Sequence, residues 1–223
     1  FRSSLISFFL KKNKKFIFKK IKNIHHIDQL SLAFGFNCAD LFVPTSLEEE
    51  RTAAKNLNKN FKRIIIFPGG NWYPKLWPIS NFNIIMKSLL SKYKNIKFIL
   101  VGTLKEKNKF YNELVKDINS QYVIDLFGMN LTLTSAYMRK SNLFLGNDSG
   151  LMHLAISQKL RVISLFGPTD DKVYGPYGDN NVIIRTTESL DYFKSINIDE
   201  NKSYMNSIKT KTVIQNCEDL IND

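Results

Sequence analysis

Short apolar runs alternate with segments of helical apolar spacing between residues 62 and 185, and this alternation constrains the possible fold more than any other feature of the chain. Each run is almost wholly apolar, which is typical of strands covered on both faces of a parallel sheet. Strands that alternate with helices predict an α/β, doubly wound, Rossmann-like domain. The predicted strands are residues 62–67, 96–101, 122–127, 142–145, 161–166 and 181–185, and the predicted helices are residues 79–93, 105–118, 132–139 and 150–157.

The two ends of the chain lack this alternation. We therefore expect one complete domain at residues 58–187, preceded by an N-terminal segment and linker at 1–57 and followed by a polar, helical tail at 188–223. Within the ends, the patterns predict helices at residues 3–10, 24–35 and 204–221, a short strand at 16–18, and a linker that runs into a helix at 44–57.

The net charge of +12 is concentrated near the N-terminus, where residues 1–30 have a local balance of +7. Such a segment suits an anionic membrane surface, for which residues 11–22 are the candidate, or it forms a solvated helix face. Vesicle binding that survives deletion of residues 11–22 would argue against the membrane role. We expect no nucleic-acid partner, because no nucleic-acid-binding module accompanies the charge. The basic residues of this segment are Arg2, Lys11, Lys12, Lys14, Lys15, Lys19, Lys20 and Lys22.

Composition and cysteine spacing give no sign of a membrane span or of a cysteine metal site. Hydrophobic residues make up 43% of the chain, which is ordinary for a globular protein, and no apolar run approaches the roughly 20 residues that span a bilayer. Cys38 and Cys217 lie far apart and match no metal-ligand spacing, so they indicate a reducing compartment or two small apolar side chains. We expect no metal site.

Three loops that follow predicted strands carry the candidate site, because parallel sheets bind ligands at the carboxyl ends of their strands. The first loop, residues 68–78, contains Gly69 and Gly70, whose N–H groups suit phosphate oxygens, and Lys75, which adds a positive charge. The structural alternative is a rigid Pro/Trp turn with a lysine that faces solvent.

The second loop passes from a strand into a helix at Gly146–His153, and the third is the Gly167-Pro168-Thr169-Asp170 turn. In the second, Asp148 and Ser149 are good helix caps and the following N–H groups suit an anion. The structural alternatives are Asp148 as a simple N-cap and His153 as a packed core residue. In the third, Gly167 and Thr169 could close the other side of a phosphate pocket, and Asp170 could cap the next helix.

The motifs PGGNWYPKLWP, GNDSGLMHLA and LFGPTD, in this order and spacing, resemble the signature of glycosyltransferase family 9, the heptosyltransferases. The segment HHIDQLSLAFG at residues 25–35 is similar to the interdomain region of that family. The resemblance implies a GT-B-like arrangement in which residues 58–187 hold the nucleotide sugar and residues 1–57 are the end of the acceptor domain. It also implies that the acceptor domain's first strand, glycine-rich loop and catalytic aspartate precede Phe1.

The same resemblance implies roles for individual residues. Lys75 matches the lysine that contacts the donor diphosphate and stabilises the leaving group. Backbone at Gly128 and Met129 borders the nucleobase, and Thr132–Thr134 stand where many members carry an acidic residue for the ribose. The implied donor-binding residues are Gly69, Gly70, Asn71, Lys75, Gly128, Met129, Asp148, Ser149, Gly150, Leu151, His153, Gly167, Pro168 and Thr169.

The implied reaction is metal-independent, inverting transfer of a sugar from a nucleotide-diphosphate donor, with ADP-heptose expected, to a lipopolysaccharide core or other glycolipid acceptor. No cofactor is expected, and Asp170 and Asp171 are adjacent rather than a DxD pair. The implied location is the cytoplasm, with possible peripheral attachment to the inner membrane. Because the base would precede Phe1, we expect this chain to bind nucleotide weakly and to transfer sugar poorly or not at all.

Two alternatives remain at this stage. The chain could be a non-catalytic nucleotide-binding remnant or a membrane-surface partner. It could also be a serine hydrolase that uses Asp148, Ser149 and His153, although Ser149 does not occupy the middle of a G-x-S-x-G elbow. A serine and a histidine four residues apart on one helix also have poor geometry for a triad.

Overall fold

A computed structural model describes residues 24–34, 42–57, 60–179 and 181–222 of the chain. The helix predicted at residues 3–10, the strand predicted at 16–18, the basic segment 11–22 and Cys38 all lie outside the described residues. None of the helices within those ranges is long and apolar enough to cross a lipid bilayer.

Six parallel strands form one sheet in the order β3-β2-β1-β4-β5-β6, which confirms the doubly wound fold class. The order reverses between β1 and β4, so the chain crosses back at that point and leaves a crevice at their carboxyl ends. In register, Ile64 of β1 lies opposite Phe98 of β2 and Leu143 of β4. The strands are β1 (Lys62–Phe67), β2 (Ile96–Leu100), β3 (Val123–Asp125), β4 (Leu143–Asn147), β5 (Val162–Phe166) and β6 (Val182–Arg185).

Helices follow each of the first five strands and flank the sheet at both ends of the chain. Several begin at a residue whose side chain accepts a hydrogen bond from the first helical turn, which satisfies one of the otherwise unpaired N–H groups. Ser46 and Thr103 each form a full capping box, with Glu49 and Glu106 respectively. The helices are α1 (His26–Phe34), α2 (Leu47–Asn56), α3 (Ile79–Lys92), α4 (Leu104–Leu114), α5 (Leu131–Arg139), α6 (Gly150–Ser157), α7 (Asp171–Tyr174), α8 (Leu190–Ser195) and α9 (Thr210–Asn222).

The core has two halves, one on each face of the sheet, because successive strand side chains point to opposite faces. Ile64 and Ile66 of β1 belong to the half that α3 and α9 cover, whereas Ile65 and Phe67 belong to the half that α2, α5 and α6 cover. All four are buried. Burial on both faces explains why the strands are continuous apolar runs rather than alternating ones.

Several predicted boundaries are wrong, and each has a local cause. The strand predicted at residues 122–127 is confined to β3, because a 3-10 turn precedes it and the Asp125 side chain accepts a hydrogen bond from the Phe127 N–H. The helix predicted at 105–118 ends at Leu114, just before Asp117 adopts a φ of 59°. The helix predicted at 204–221 begins only at Thr210.

The C-terminal tail packs against the domain. Helix α9 lies against α3, β4 and β5, and its residues Val213, Cys217 and Ile221 are buried in the same core half as Ile64. The boundary we predict at residue 188 therefore separates segments that share one hydrophobic core.

Candidate functional site

A cleft of about 1630 Å³ opens at the carboxyl ends of the strands, where the strand order reverses. The loops after β1, β2, β3, β4 and β5 all contribute to its lining. This position is the one at which open α/β sheets bind their ligands. The cleft is therefore the candidate functional site.

Most of the residues selected from the sequence lie together in this cleft, although they come from four separate loops. Gly69, Gly167 and Pro168 are the exceptions, since they do not line the cleft. Those that do line the cleft are Gly70, Asn71, Lys75, Gly128, Met129, Asp148, Ser149, Gly150, Leu151, His153 and Thr169.

Lys75 ends a short 3-10 turn, Tyr73–Lys75, in the loop after β1. Its side chain is buried, and its Nζ lies 3.2 Å from Oδ2 of Asp148, which follows β4. The structural alternative of a solvent-facing lysine is therefore wrong. A cation held in the cleft wall by a single carboxylate remains available to an anion that enters the cleft.

We call the loop after β1, residues 68–78, the lysine loop. Asn147, the last residue of β4, holds this loop in place. Its Nδ2 donates to the carbonyl oxygens of Pro68 and Gly69 at 2.9 and 3.1 Å, and its Oδ1 accepts from the Trp77 N–H at 3.2 Å. The side chain is fully buried. One amide therefore ties together both ends of the loop that carries Lys75.

Helix α6 begins at the cleft, and Ser149 is its N-cap. The Ser149 Oγ accepts a hydrogen bond from the Met152 N–H at 3.3 Å, so the alternative in which Asp148 caps the helix is wrong. A side chain at Gly150 would meet only open space, which places this first turn at the cleft surface. The first N–H groups of a helix have no intrahelical partner and carry a partial positive charge, so they suit an anion.

His153 lies one turn further along α6 and is partly buried at the edge of the cleft. Burial lowers the pKa of its imidazole, and the neighbouring His25, His26 and Lys75 lower it further, whereas Asp148 opposes them. The Ser149 Oγ is engaged as a cap, and none of the described hydrogen bonds joins it to His153. This arrangement gives no support to a serine hydrolase.

The turn after β5 brings Thr169 to the lining of the cleft. Thr169 Oγ1 is buried and, within the described part of the chain, has no hydrogen-bond partner. Asp170 caps α7, as expected. Arg185 braces the turn from behind, since its guanidinium donates to the carbonyl oxygens of Gly167 and Thr169 at 2.6 and 3.0 Å. A buried polar atom without a partner is costly, so this hydroxyl is suited to a ligand.

Glu106 is a site residue that the sequence analysis missed. Its carboxylate accepts hydrogen bonds from the Gly70 N–H at 2.8 Å and from the Thr103 N–H at 2.7 Å. The Gly70 N–H therefore has a partner other than the predicted phosphate. A side chain at Gly69 would come within 2.0 Å of the same carboxylate, so this glycine permits the close contact. The T-x-x-E capping-box pattern was the available signal.

The loop after β3 forms the apolar end of the cleft. Gly128 adopts a φ of 81°, and its N–H donates to the Gly102 carbonyl at 2.7 Å. Beside it, Leu104, Met129 and Leu131 line the cleft with largely exposed side chains. Exposed apolar side chains around a cleft favour a flat apolar group of a ligand.

No group of three or more His, Cys, Asp or Glu side chains in the described ranges could hold a metal ion. The charged side chains that line the cleft are Lys75, Lys105, Glu106, Lys109 and Asp148, and the first turn of α6 adds a partial positive charge. Lys75, the first turn of α6 and Thr169 all line the cleft, and the cation and the helix N-terminus suit phosphate oxygens.

Comparison with known proteins shows the family of the chain. The sequence profile of glycosyltransferase family 9 (heptosyltransferase) matches residues 25–202, well over half of the chain. Lipopolysaccharide heptosyltransferase 1 of Campylobacter coli is 26% identical over 202 residues, which cover 89% of this chain and 57% of that protein. The chain thus spans little more than half the length of this relative.

Solved structures share the fold. The family 9 glycosyltransferase of Veillonella parvula superposes with a TM-score of 0.76 at 23% identity, over 98% of this chain and 65% of that one. The E. coli heptosyltransferase WaaC with ADP superposes with a TM-score of 0.65 at 17% identity, over 97% of this chain and 62% of that one. The GT-B-like fold class expected from the sequence is confirmed.

Proposed function

The chain belongs to glycosyltransferase family 9, the heptosyltransferases, and we propose that its cleft binds the nucleotide-sugar donor of a glycosyl transfer. The observation that carries this proposal is the position of Lys75. Its ammonium group lies in the cleft wall, paired with Asp148 and next to the first turn of α6. A donor diphosphate needs this combination of a mobile cation and free N–H groups.

In the proposed donor complex, the diphosphate lies between Lys75, the N–H groups of Gly150 and Leu151, and the Thr169 hydroxyl. The nucleobase occupies the apolar end of the cleft at Leu104, Met129 and Leu131. We propose ADP-heptose as the donor, and the ADP found with the E. coli neighbour supports this base. The name of the Campylobacter relative supports a lipopolysaccharide core as the acceptor.

The proposed chemistry is inverting transfer without a metal. As the bond between the sugar and the diphosphate breaks, negative charge grows on the departing phosphate oxygen. Lys75 and the dipole of α6 stabilise that charge, because both are fixed in place before the reaction begins. In this proposal Asp148 and His153, which also line the cleft, face the donor sugar.

We also propose that residues 11–22 contact an anionic membrane surface. Loss of vesicle binding when these residues are deleted would support this contact.

Calorimetric titration with ADP, UDP and GDP tests the donor site. The proposal predicts selective binding of ADP and at least about tenfold weaker binding by Lys75→Ala, because a charge-assisted contact to phosphate is lost. Lys87→Ala is the matched control, since Lys87 forms an exposed ion pair with Asp117 outside the cleft. A preference for UDP or GDP would mean that the donor carries a nucleotide other than ADP. Equal ADP binding by wild type and Lys75→Ala would refute the assignment of Lys75.

A further inference from the structure

A segment of the C-terminal tail, residues 199–208, crosses the outside of the lysine loop, and we call it the C-terminal strap. We propose that the strap is a positioning element for Lys75, with Ser203 and Glu200 as its positioning residues. This inference rests on the proposed role of Lys75 at the donor diphosphate.

The strap contacts the lysine loop on both sides of Lys75. Before it in sequence, the Trp72 Nε1 donates to Glu200, and the Pro74 carbonyl accepts from the Tyr204 N–H at 3.0 Å. After it, the Ser203 hydroxyl donates to the Leu76 carbonyl at 2.6 Å. The backbone on either side of Lys75 is therefore bound to the strap.

The strap also fixes the far end of the loop and the turn after β5. The Trp77 Nε1 donates to the Ile208 carbonyl at 3.3 Å, inside the core. Met205 is fully buried, and a side chain at Gly167 would come within 2.5 Å of its Sδ. The strap therefore joins the loop that carries Lys75 to the turn that carries Thr169.

The internal hydrogen bonds of the loop do not suffice to fix Lys75. Its 3-10 turn is three residues long, and a turn of this length is weak by itself. Asn147 binds the loop at Pro68, Gly69 and Trp77, whereas the described hydrogen bonds from outside the loop to the backbone of residues 72–76 come from the strap. A ligand contact made by a side chain on such a loop depends on the elements that support the loop.

Calorimetry with ADP on the full chain tests this inference through a double-mutant cycle. Ser203→Ala removes the hydrogen bond to the Leu76 carbonyl and the one accepted from the Met205 N–H, and neither bond is to ADP. The variant is expected to weaken ADP binding about fivefold, because the loop is then held less firmly in its binding conformation. In the Lys75→Ala background, Ser203→Ala should have no further effect, because the strap acts through Lys75. Ser195→Ala is the matched control, since its hydroxyl donates to the Tyr192 carbonyl within the tail and does not touch the loop.

Glu200→Ala provides a second variant at an exposed position, where folding is not at risk. This variant should weaken ADP binding, but only while Lys75 is present. It should also shift the Trp72 fluorescence. Two results would overturn the inference: unchanged ADP affinity in both strap variants, or an equal loss with and without Lys75. If Lys75→Ala itself has no effect, the proposed donor site fails and the positioning role fails with it.

Discussion

Lys75 and Asp148 form an ion pair in the wall of the cleft, and both side chains are largely removed from water. Charges in such a place cost free energy of desolvation that their mutual attraction only partly offsets, so ion pairs of this kind are weak evidence for a stabilising role. A diphosphate that entered the cleft would attract Lys75 and repel Asp148. The pair is therefore suited to rearrange when an anion binds.

Replacement of Asp148 by Asn should strengthen the binding of ADP at least about threefold, because it removes one negative charge near the diphosphate and the competitor for Lys75. Calorimetric titration measures the change. Asp117→Asn is the control, since Asp117 pairs with Lys87 at the exposed surface and should leave ADP affinity unchanged. Weaker ADP binding by Asp148→Asn would show that the carboxylate orients Lys75 instead of competing for it.

The lowered pKa of His153 leads to a prediction of how the stability of the protein depends on pH. Burial lowers its pKa in the folded protein, whereas the unfolded chain binds a proton at the ordinary value of about 6.5. The stability contributed by the neutral ring is complete above that value and is lost as the pH falls from about 6.5 towards the lower, folded pKa. The melting temperature of His153→Gln should therefore fall less between about pH 8 and pH 5.5 than that of the wild type. An equal fall in both proteins would contradict this prediction.

For individual residues, the sequence predicts which loops carry the candidate site better than it predicts which residues contact those loops. Lys75, Asp148 and Ser149 stand in motifs that follow predicted strands, so their position at one edge of the sheet is predictable. The residues that contact these loops are not predictable from the sequence. Glu106 and Arg185 each bind backbone of another loop, and such contacts depend on the packing of elements distant in sequence.

Strands and loops are joined at the candidate site by Asn147. Because its side chain makes three hydrogen bonds to the lysine loop from a fully buried position, the loop cannot move without leaving buried polar groups unpaired. We infer that β4 and the two ends of the lysine loop form one rigid unit.

Asn147→Ala is expected to destabilise the protein by about 2 to 4 kcal/mol, because it leaves the Trp77 N–H and two carbonyl groups without their partner. Chemical denaturation measures the difference in unfolding free energy. Asn95→Ala is the control, since Asn95 is exposed and its side chain makes a single hydrogen bond, to the Asn60 carbonyl. That variant should lie within about 0.5 kcal/mol of the wild type. A comparable loss in both variants would contradict the role of Asn147.

Elements with strong hydrophobic periodicity were predictable, and the others were not. Each apolar run from β1 to β6 corresponds to a strand, because burial on both faces requires such a run. Residues 204–208 of the strap were predicted as part of the helix at 204–221, which begins only at Thr210. Met205 and Ile208 are instead buried in the core half that α3 and α9 cover, so tertiary contacts override the local pattern.

The whole domain is closed by its C-terminal tail. Helix α9 supplies Val213, Cys217 and Ile221 to the core half that α3 shares, and the strap, which precedes α9 in the chain, contacts the lysine loop. We infer that the tail unfolds together with the sheet. The chain covers 57% of the Campylobacter relative, so the activity and acceptor of the whole enzyme are proposals that rest on this domain.

Cys217 reports on that cooperativity. It is fully buried in α9, and burial raises the pKa of its thiol, so the reactive thiolate is suppressed in the folded protein. In a Cys38→Ser background, a thiol reagent should label Cys217 only at denaturant concentrations that unfold the sheet, as monitored by circular dichroism. Rapid labelling of the native protein would mean that α9 opens independently of the sheet.

The most direct test of the donor-site assignment is a crystal structure of the chain with ADP. We predict diphosphate oxygens within hydrogen-bond distance, about 2.7 to 3.2 Å, of Lys75 Nζ and of the N–H groups of Gly150 and Leu151. The adenine should lie against Leu104, Met129 and Leu131. ADP bound elsewhere, or a diphosphate that leaves Lys75 paired only with Asp148, would contradict the assignment.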